Sequence, residues 1–61
     1  MILETYAKLQ KLVADAREDI EKAAGGNQAA GTRARKSMQD VKAASQELRE
    51  AVLKAREEPK P

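Results

Sequence analysis

Apolar residues recur at alternating steps of three and four positions through most of the chain, and one polar segment interrupts them. That segment is Gly25-Gly26-Asn27. Such spacing is typical of an apolar side along an α-helix, so the sequence predicts an all-α fold in which two helices form an antiparallel hairpin. We expect helix one at about 2–24, a turn at 25–27 and helix two at about 28–57, within a helical hairpin covering 1–58 and followed by a polar tail at 59–61.

Each predicted helix carries a seam of residues that we expect to be shielded from water. On helix one the seam comprises Ile2, Tyr6, Leu9, Val13, Ala16, Ile20 and Ala23. On helix two it comprises Ala34, Met38, Val41, Ser45, Leu48, Val52 and Ala55. The side chains that we expect to dominate the core or a dimer interface are Tyr6, Leu9, Val13, Ile20, Met38, Val41, Leu48 and Val52. Tyr6 is the only aromatic residue and is interpreted as part of the core, not as a platform for base stacking.

The length of the chain limits how stable one hairpin can be. Domains of 61 residues bury a small fraction of their surface, and they usually need disulfides, a metal or self-association. The sequence contains no Cys and no His, which leaves self-association. We therefore expect a homodimer in a four-helix arrangement, with the longer second helix leaving Val52, Leu53 and Ala55 for a partner to cover.

The composition also removes most catalytic chemistry. Imidazole bases and thiol nucleophiles are absent, and with them the His and Cys ligands of metal sites, and the glycines match no phosphate-binding loop motif. Asp15, Glu18 and Asp19 lack the loop framework of a cation site and are interpreted as a solvated helix face. We expect a protein that is not an enzyme and that uses no cofactor, no metal and no small-molecule substrate.

The N-terminal residues do not predict export or membrane insertion. Met1-Ile2-Leu3 is followed directly by Glu4, whereas a signal peptide has a basic start and a long apolar core. No later segment approaches the length of a membrane span. We therefore expect a cytoplasmic protein without a membrane partner.

Positive charge is concentrated in the second half of the chain. Residues 1–26 have a balance of −1 and residues 27–61 a balance of +3. Within the second half, Arg35, Lys42, Arg49 and Arg56 recur every seven residues and define a basic stripe about 31 Å long on one side of the helix. The stripe has two interpretations: it binds a polyanion, or its cations flank a coiled-coil seam and pair with acids across it.

The start of helix two has the same ambiguity. Asn27 is a good N-cap, and beyond it come small residues, the hydroxyl of Thr32 and the cations Arg33, Arg35 and Lys36. Free backbone amides, the positive end of the helix dipole and nearby cations favour phosphate binding. Equally, Asn27 caps the helix and the cations are simply solvated.

The run from Gly26 to Asp40, GNQAAGTRARKSMQD, resembles the small bacterial linker-histone-like proteins known from chlamydiae and Bacteroidetes. The resemblance implies a nucleoid protein that binds duplex DNA without strong sequence preference and helps to compact it, and it maps the family's basic positions onto Arg33, Arg35 and Lys36. Two departures weaken the expected affinity. Chlamydial members continue into a long Lys- and Ala-rich tail, whereas this sequence ends at Pro61, and some members carry Lys where this chain has Gln28.

The sequence therefore predicts a histone-like protein of the bacterial nucleoid whose partners are double-stranded DNA and a second copy of itself. The residues expected to contact phosphate are Asn27, Thr32, Arg33, Arg35, Lys36, Lys42 and Arg49. Phosphate contacts carry no sequence code, so specificity should be low. The alternative is a helical protein–protein interaction module that does not bind nucleic acid.

Overall fold

A computed structural model of the chain describes residues 1–57, and it consists of two helices joined by a short turn. Helix α1 spans Ile2–Ala24 and helix α2 spans Gln28–Glu57. The helices lie side by side in an antiparallel hairpin, a rod whose Cα atoms extend over 55 × 14 × 11 Å. The predicted two-helix fold is confirmed, and the predicted polar tail at 59–61 lies outside the described residues.

Backbone hydrogen bonds close the turn, and they are accepted by the carbonyls of Lys22 and Ala23 near the end of α1. The amide of Gly26 donates to the carbonyl of Ala23 at 3.0 Å, and the amide of Asn27 donates to the carbonyl of Lys22 at 3.0 Å. This pair of bonds is the Schellman arrangement, which requires a left-handed residue just beyond the helix. Gly26 supplies it with φ 101°, whereas the φ of Gly25 is −85°.

The second helix begins with a side-chain cap. The Oδ1 atom of Asn27 accepts a hydrogen bond from the amide of Ala30 at 2.9 Å, in the position expected of an N-cap residue. The carbonyl of Asn27 accepts from the amide of Gly31 at 3.0 Å. The cap and the Schellman bonds together reverse the chain within three residues.

Small side chains form the centre of the contact between the helices. The fully buried apolar residues of the described chain are all alanines, namely Ala16, Ala30, Ala34 and Ala44. Around them on α1 lie Ile2, Thr5, Leu9, Leu12, Asp19 and Ala23. On α2 the half-buried residues are Gly31, Ser37, Val41, Leu48 and Ala51. Because the distance between two helices depends on the side chains between them, an alanine-rich contact brings the backbones close together.

The residues that face the neighbouring helix are not all those of the predicted seams. At every second seam position, the residue one place earlier in the sequence faces inward instead. Leu9, Val41 and Leu48 lie in the contact, but Tyr6, Val13, Ile20, Met38 and Val52 are exposed outside it. The positions that face the other helix are instead those of Thr5, Leu12, Asp19, Ser37, Ala44 and Ala51. The interpretation of Tyr6 as a core residue of the hairpin is therefore wrong. Alanines hold the buried positions and let the helices lie close together, which leaves no room for a ring between them, whereas Leu9, Leu12 and Leu48 are only half-buried around the alanines.

Neither helix, within residues 1–57, combines the length and the apolar character that crossing a bilayer requires.

Two glycine substitutions are expected to change stability in opposite directions. Gly26→Ala places a side chain at φ 101° and should lower the free energy of unfolding by about 1 kcal/mol. Gly31→Ala puts a Cβ at 3.8 Å from the Cβ of Ala23, an ordinary contact, and should raise it by about 0.5–1 kcal/mol because Ala favours helix over Gly. Thermal melts followed by circular dichroism measure both, and a lower melting temperature for Gly31→Ala would contradict the packing described at this position.

Candidate nucleic-acid interface

The basic stripe forms one exposed edge of the hairpin. Arg35, Lys42, Arg49 and Arg56 are all exposed, and their spacing keeps them on one side of α2. They border the apolar residues that lie outside the helix contact, since Arg35 and Lys42 flank Met38, and Arg49 and Arg56 flank Val52. The stripe therefore presents a row of cations along most of the length of α2.

Within the described residues, the cations of the stripe form no ion pair, in contrast to many of the others. Lys8 pairs with Glu47 across the two helices at 3.4 Å, and Arg17 and Lys22 pair with acids of α1. The interpretation that the stripe pairs with acids of the neighbouring helix is thus not what the hairpin shows. Cations without local partners are available to an external anion.

Arg33 is separated from the stripe and held by α1. Its Nε and Nη2 atoms each lie 3.1 Å from Oδ1 of Asp19, which is only 24% exposed. Each residue of a helix is rotated by about 100° from the one before it, so Arg33 lies on a different side of α2 from Arg35. The interpretation of Asp19 as part of a solvated face is wrong, because Asp19 lies in the helix contact and neutralises this arginine.

The remaining predicted site residues are divided between the outer surface of α2 and the turn. Lys36 is exposed and about 100° around the helix from Arg35. The hydroxyl of Thr32 donates to the carbonyl of Gln28 at 3.3 Å, and the side-chain oxygen of Asn27 is occupied by the amide of Ala30. Of the seven predicted residues, the structure aligns Arg35, Lys42 and Arg49 in one row.

Sequence reasoning missed Asp19 as the partner of Arg33. The two residues are 14 positions apart and meet only because the turn reverses the chain. Asp19 lies one position before the predicted seam residue Ile20. Because the residues that face α2 are each one position before such seam residues, Asp19 could have been placed against α2 only after the inward-facing side of α1 was known. Arg56 belongs to the stripe by spacing, although it was not among the residues expected to contact phosphate.

A short helical hairpin with a cationic edge that forms no ion pair among residues 1–56 is typical of small proteins that bind polyanions. Comparison with protein families identifies the class more closely: residues 3–58 match the model described as Histone H1-like protein Hc1. The match covers nearly the whole chain, so the chain belongs to this family of histone-like DNA-binding proteins. The resemblance inferred from residues 26–40 is thereby confirmed.

Searches of curated proteins and of solved structures find no significant match.

Proposed function

We propose that the chain is a nucleoid protein that binds duplex DNA as a homodimer, through phosphate contacts made by the basic stripe and with low sequence specificity. The observation that carries the proposal is the stripe itself: four exposed cations in a row about 31 Å long, unpaired within the described residues. Its length is close to that of one turn of duplex DNA, about 34 Å. Lys36 adds a further exposed cation about 100° around α2 from Arg35.

The test is a titration of the protein into a labelled duplex over a series of salt concentrations. If the dimer neutralises about six phosphates and both stripes meet the same duplex, the slope of log affinity against log salt is expected to be about −5, and a duplex that meets a single stripe gives about half that slope. Two duplexes of unrelated sequence should bind with similar affinity, because contacts to phosphate do not read bases. No binding at micromolar protein in dilute buffer would refute the proposal, and a strong preference for one sequence would refute its low specificity.

The second candidate is a protein–protein interaction module, and the exposed apolar residues beside the stripe favour it. These side chains offer a surface to another helix. The same titration separates the two candidates, since a module that uses its cations only to pair with a protein partner predicts no shift of the duplex at micromolar concentration.

Freeing Arg33 is expected to strengthen binding. In Asp19→Asn the arginine loses its carboxylate partner and becomes available to phosphate, so the salt dependence should steepen by about 1–2 for a dimer, at about 0.9 for each added contact. The loss of an exposed ion pair should lower the free energy of unfolding by less than about 1 kcal/mol.

Glu18→Gln is the matched control, because it makes the same change of charge and releases Lys22, which is paired at 3.2 Å, belongs to α1 and lies outside the stripe. A slope that steepens equally in both variants would show that net charge, and not the position of Arg33, governs the effect.

A further inference from the structure

Five large apolar side chains form one face of the hairpin, here called the open face: Tyr6, Val13, Ile20, Met38 and Val52. Each follows a residue of the helix contact by one position, and each is between 39% and 50% exposed. A groove beside Ile20 reaches Gly31 and Arg35, which places the open faces of the two helices and the stripe on the same side. The open face thus runs from the turn to the far end of the rod.

A single hairpin has little else to stabilise it. Its fully buried apolar residues are alanines, and among residues 1–56 no large side chain is completely buried. Hydrophobic stabilisation scales with the apolar area removed from water, and five of the eight exposed large apolar side chains among residues 1–56 lie on the open face. Chains of this size usually need self-association when they have no disulfide or metal.

Charge distinguishes the open face from the opposite side of the hairpin. There, the residues just before six of the contact positions include both signs: Lys8, Asp15, Lys22, Arg33, Asp40 and Glu47. The open face and the stripe contain no carboxylate among residues 1–56. An apolar face without acids suits a second copy of the same face, provided that the two basic stripes are kept apart.

We propose that the open face is the interface of a four-helix dimer whose two-fold axis runs parallel to the helices. In this arrangement α2 of each copy lies on α1 of its partner, and both turns are at the same end. The consequence for DNA rests on the proposed function, whereas the interface itself does not.

The basic stripe decides between the two possible symmetries. With the axis perpendicular to the helices, α2 would lie on α2 of the partner and the two stripes would border one another, a row of like charges with no carboxylate between them. With the axis parallel, each stripe borders the equivalent edge of α1, which carries Leu3, Gln10 and Arg17. Arg17 is already paired with Glu21, so the second arrangement avoids the repulsion.

The parallel axis also places the two stripes on opposite edges of the bundle. Helices pack about 8–10 Å apart, so the bundle separates the stripes by roughly two helix diameters. A straight duplex that follows one stripe cannot reach the other. The dimer therefore holds two duplexes, one along each edge.

Single cysteines test the interface without DNA, and the chain has no Cys of its own. The contact of Asp19 with Arg33 puts residues 13 and 38 within one residue of the same height, and the contact of Lys8 with Glu47 puts them within four, so position 38 is the member of the open face on α2 that lies nearest to position 13. Val13→Cys and Met38→Cys chains, refolded together and oxidised, should form the mixed 13–38 disulfide, and neither variant alone should form much. Disulfides between two copies of Val13→Cys would overturn the arrangement, as would a monomer mass for the unmodified chain in sedimentation at high micromolar concentration.

Capture of a second duplex tests the consequence. A dimer bound to an immobilised duplex should retain a labelled free duplex, and retention should vanish at high salt. Binding to the immobilised duplex without retention of the second would overturn the two-duplex arrangement. If no duplex binds but the mixed disulfide forms, the interface stands and the proposed function fails.

Discussion

Replacing Arg35, Lys42 and Arg49 together by Gln is expected to reduce affinity for duplex DNA at least about 100-fold and to flatten the salt dependence by about 3 for each stripe that meets the duplex. The three side chains account for three phosphate contacts in each stripe, at about 0.9 for each contact, and Arg56 is left in place. Gln has a helix propensity close to those of Arg and Lys, so both helices should remain. Fluorescence anisotropy of a labelled duplex measures the affinity, and circular dichroism checks the fold.

The matched control replaces Lys8, Lys22 and Lys54 by Gln. It makes the same change in net charge, from +2 to −1, but on cations that lie outside the stripe. Lys8 and Lys22 form exposed ion pairs, whose loss should change the free energy of unfolding by less than about 1 kcal/mol for each pair. We expect affinity within a few-fold of the unmodified chain. Equal losses in the two triple variants would show that DNA responds to total charge and not to the stripe.

The helices and the turn follow from local signals in the sequence. Gly26 supplies the left-handed residue of the turn, and Asn27 caps α2. On both sides of the turn, the spacing of apolar residues has the helical period. Each of these features depends on residues a few positions apart. For that reason the sequence was sufficient to predict a two-helix hairpin.

Which side of each helix faces the other, here called the phase of the contact, does not follow from the sequence in the same way. On α1, Thr5, Leu12 and Asp19 compete with Tyr6, Val13 and Ile20 for the position that faces α2, and hydropathy favours the second set. The structure places the first set inward because the partner surface is built of alanine and serine, which draws the helices together. Size complementarity between two helices is a tertiary property, and hydropathy along one helix does not contain it.

The candidate site also has features that depend on one helix and features that depend on both. The stripe could be predicted because it is a repeat of seven residues on one helix. The neutralisation of Arg33 could not, because it depends on Asp19 reaching across from the other helix. The family resemblance marks Arg33 as a basic position, and the structure shows that its charge is already balanced within the hairpin.

The phase of the contact has a direct test in two neighbouring alanines of α2. Ala44→Glu puts a carboxylate at a position that is 1% exposed and should lower the free energy of unfolding by about 3 kcal/mol or more. That loss is comparable to the whole stability expected of a domain this small, about 3–5 kcal/mol, so the hairpin should be largely unfolded at room temperature.

Ala43→Glu is the control, since it has the same composition and charge but lies on the exposed side of the helix. It should leave the free energy of unfolding within about 0.5 kcal/mol of the unmodified chain. Ser45→Glu, on the side of the open face, should weaken self-association and lower the free energy of unfolding by less than Ala44→Glu does. Urea unfolding followed by circular dichroism, with sedimentation for the third variant, measures these outcomes. The three positions are consecutive, so each lies on a different side of α2. If Ala44→Glu is not the least stable of the three variants, α2 presents another side to α1, and the assignments of the open face and of the separate stripe are wrong.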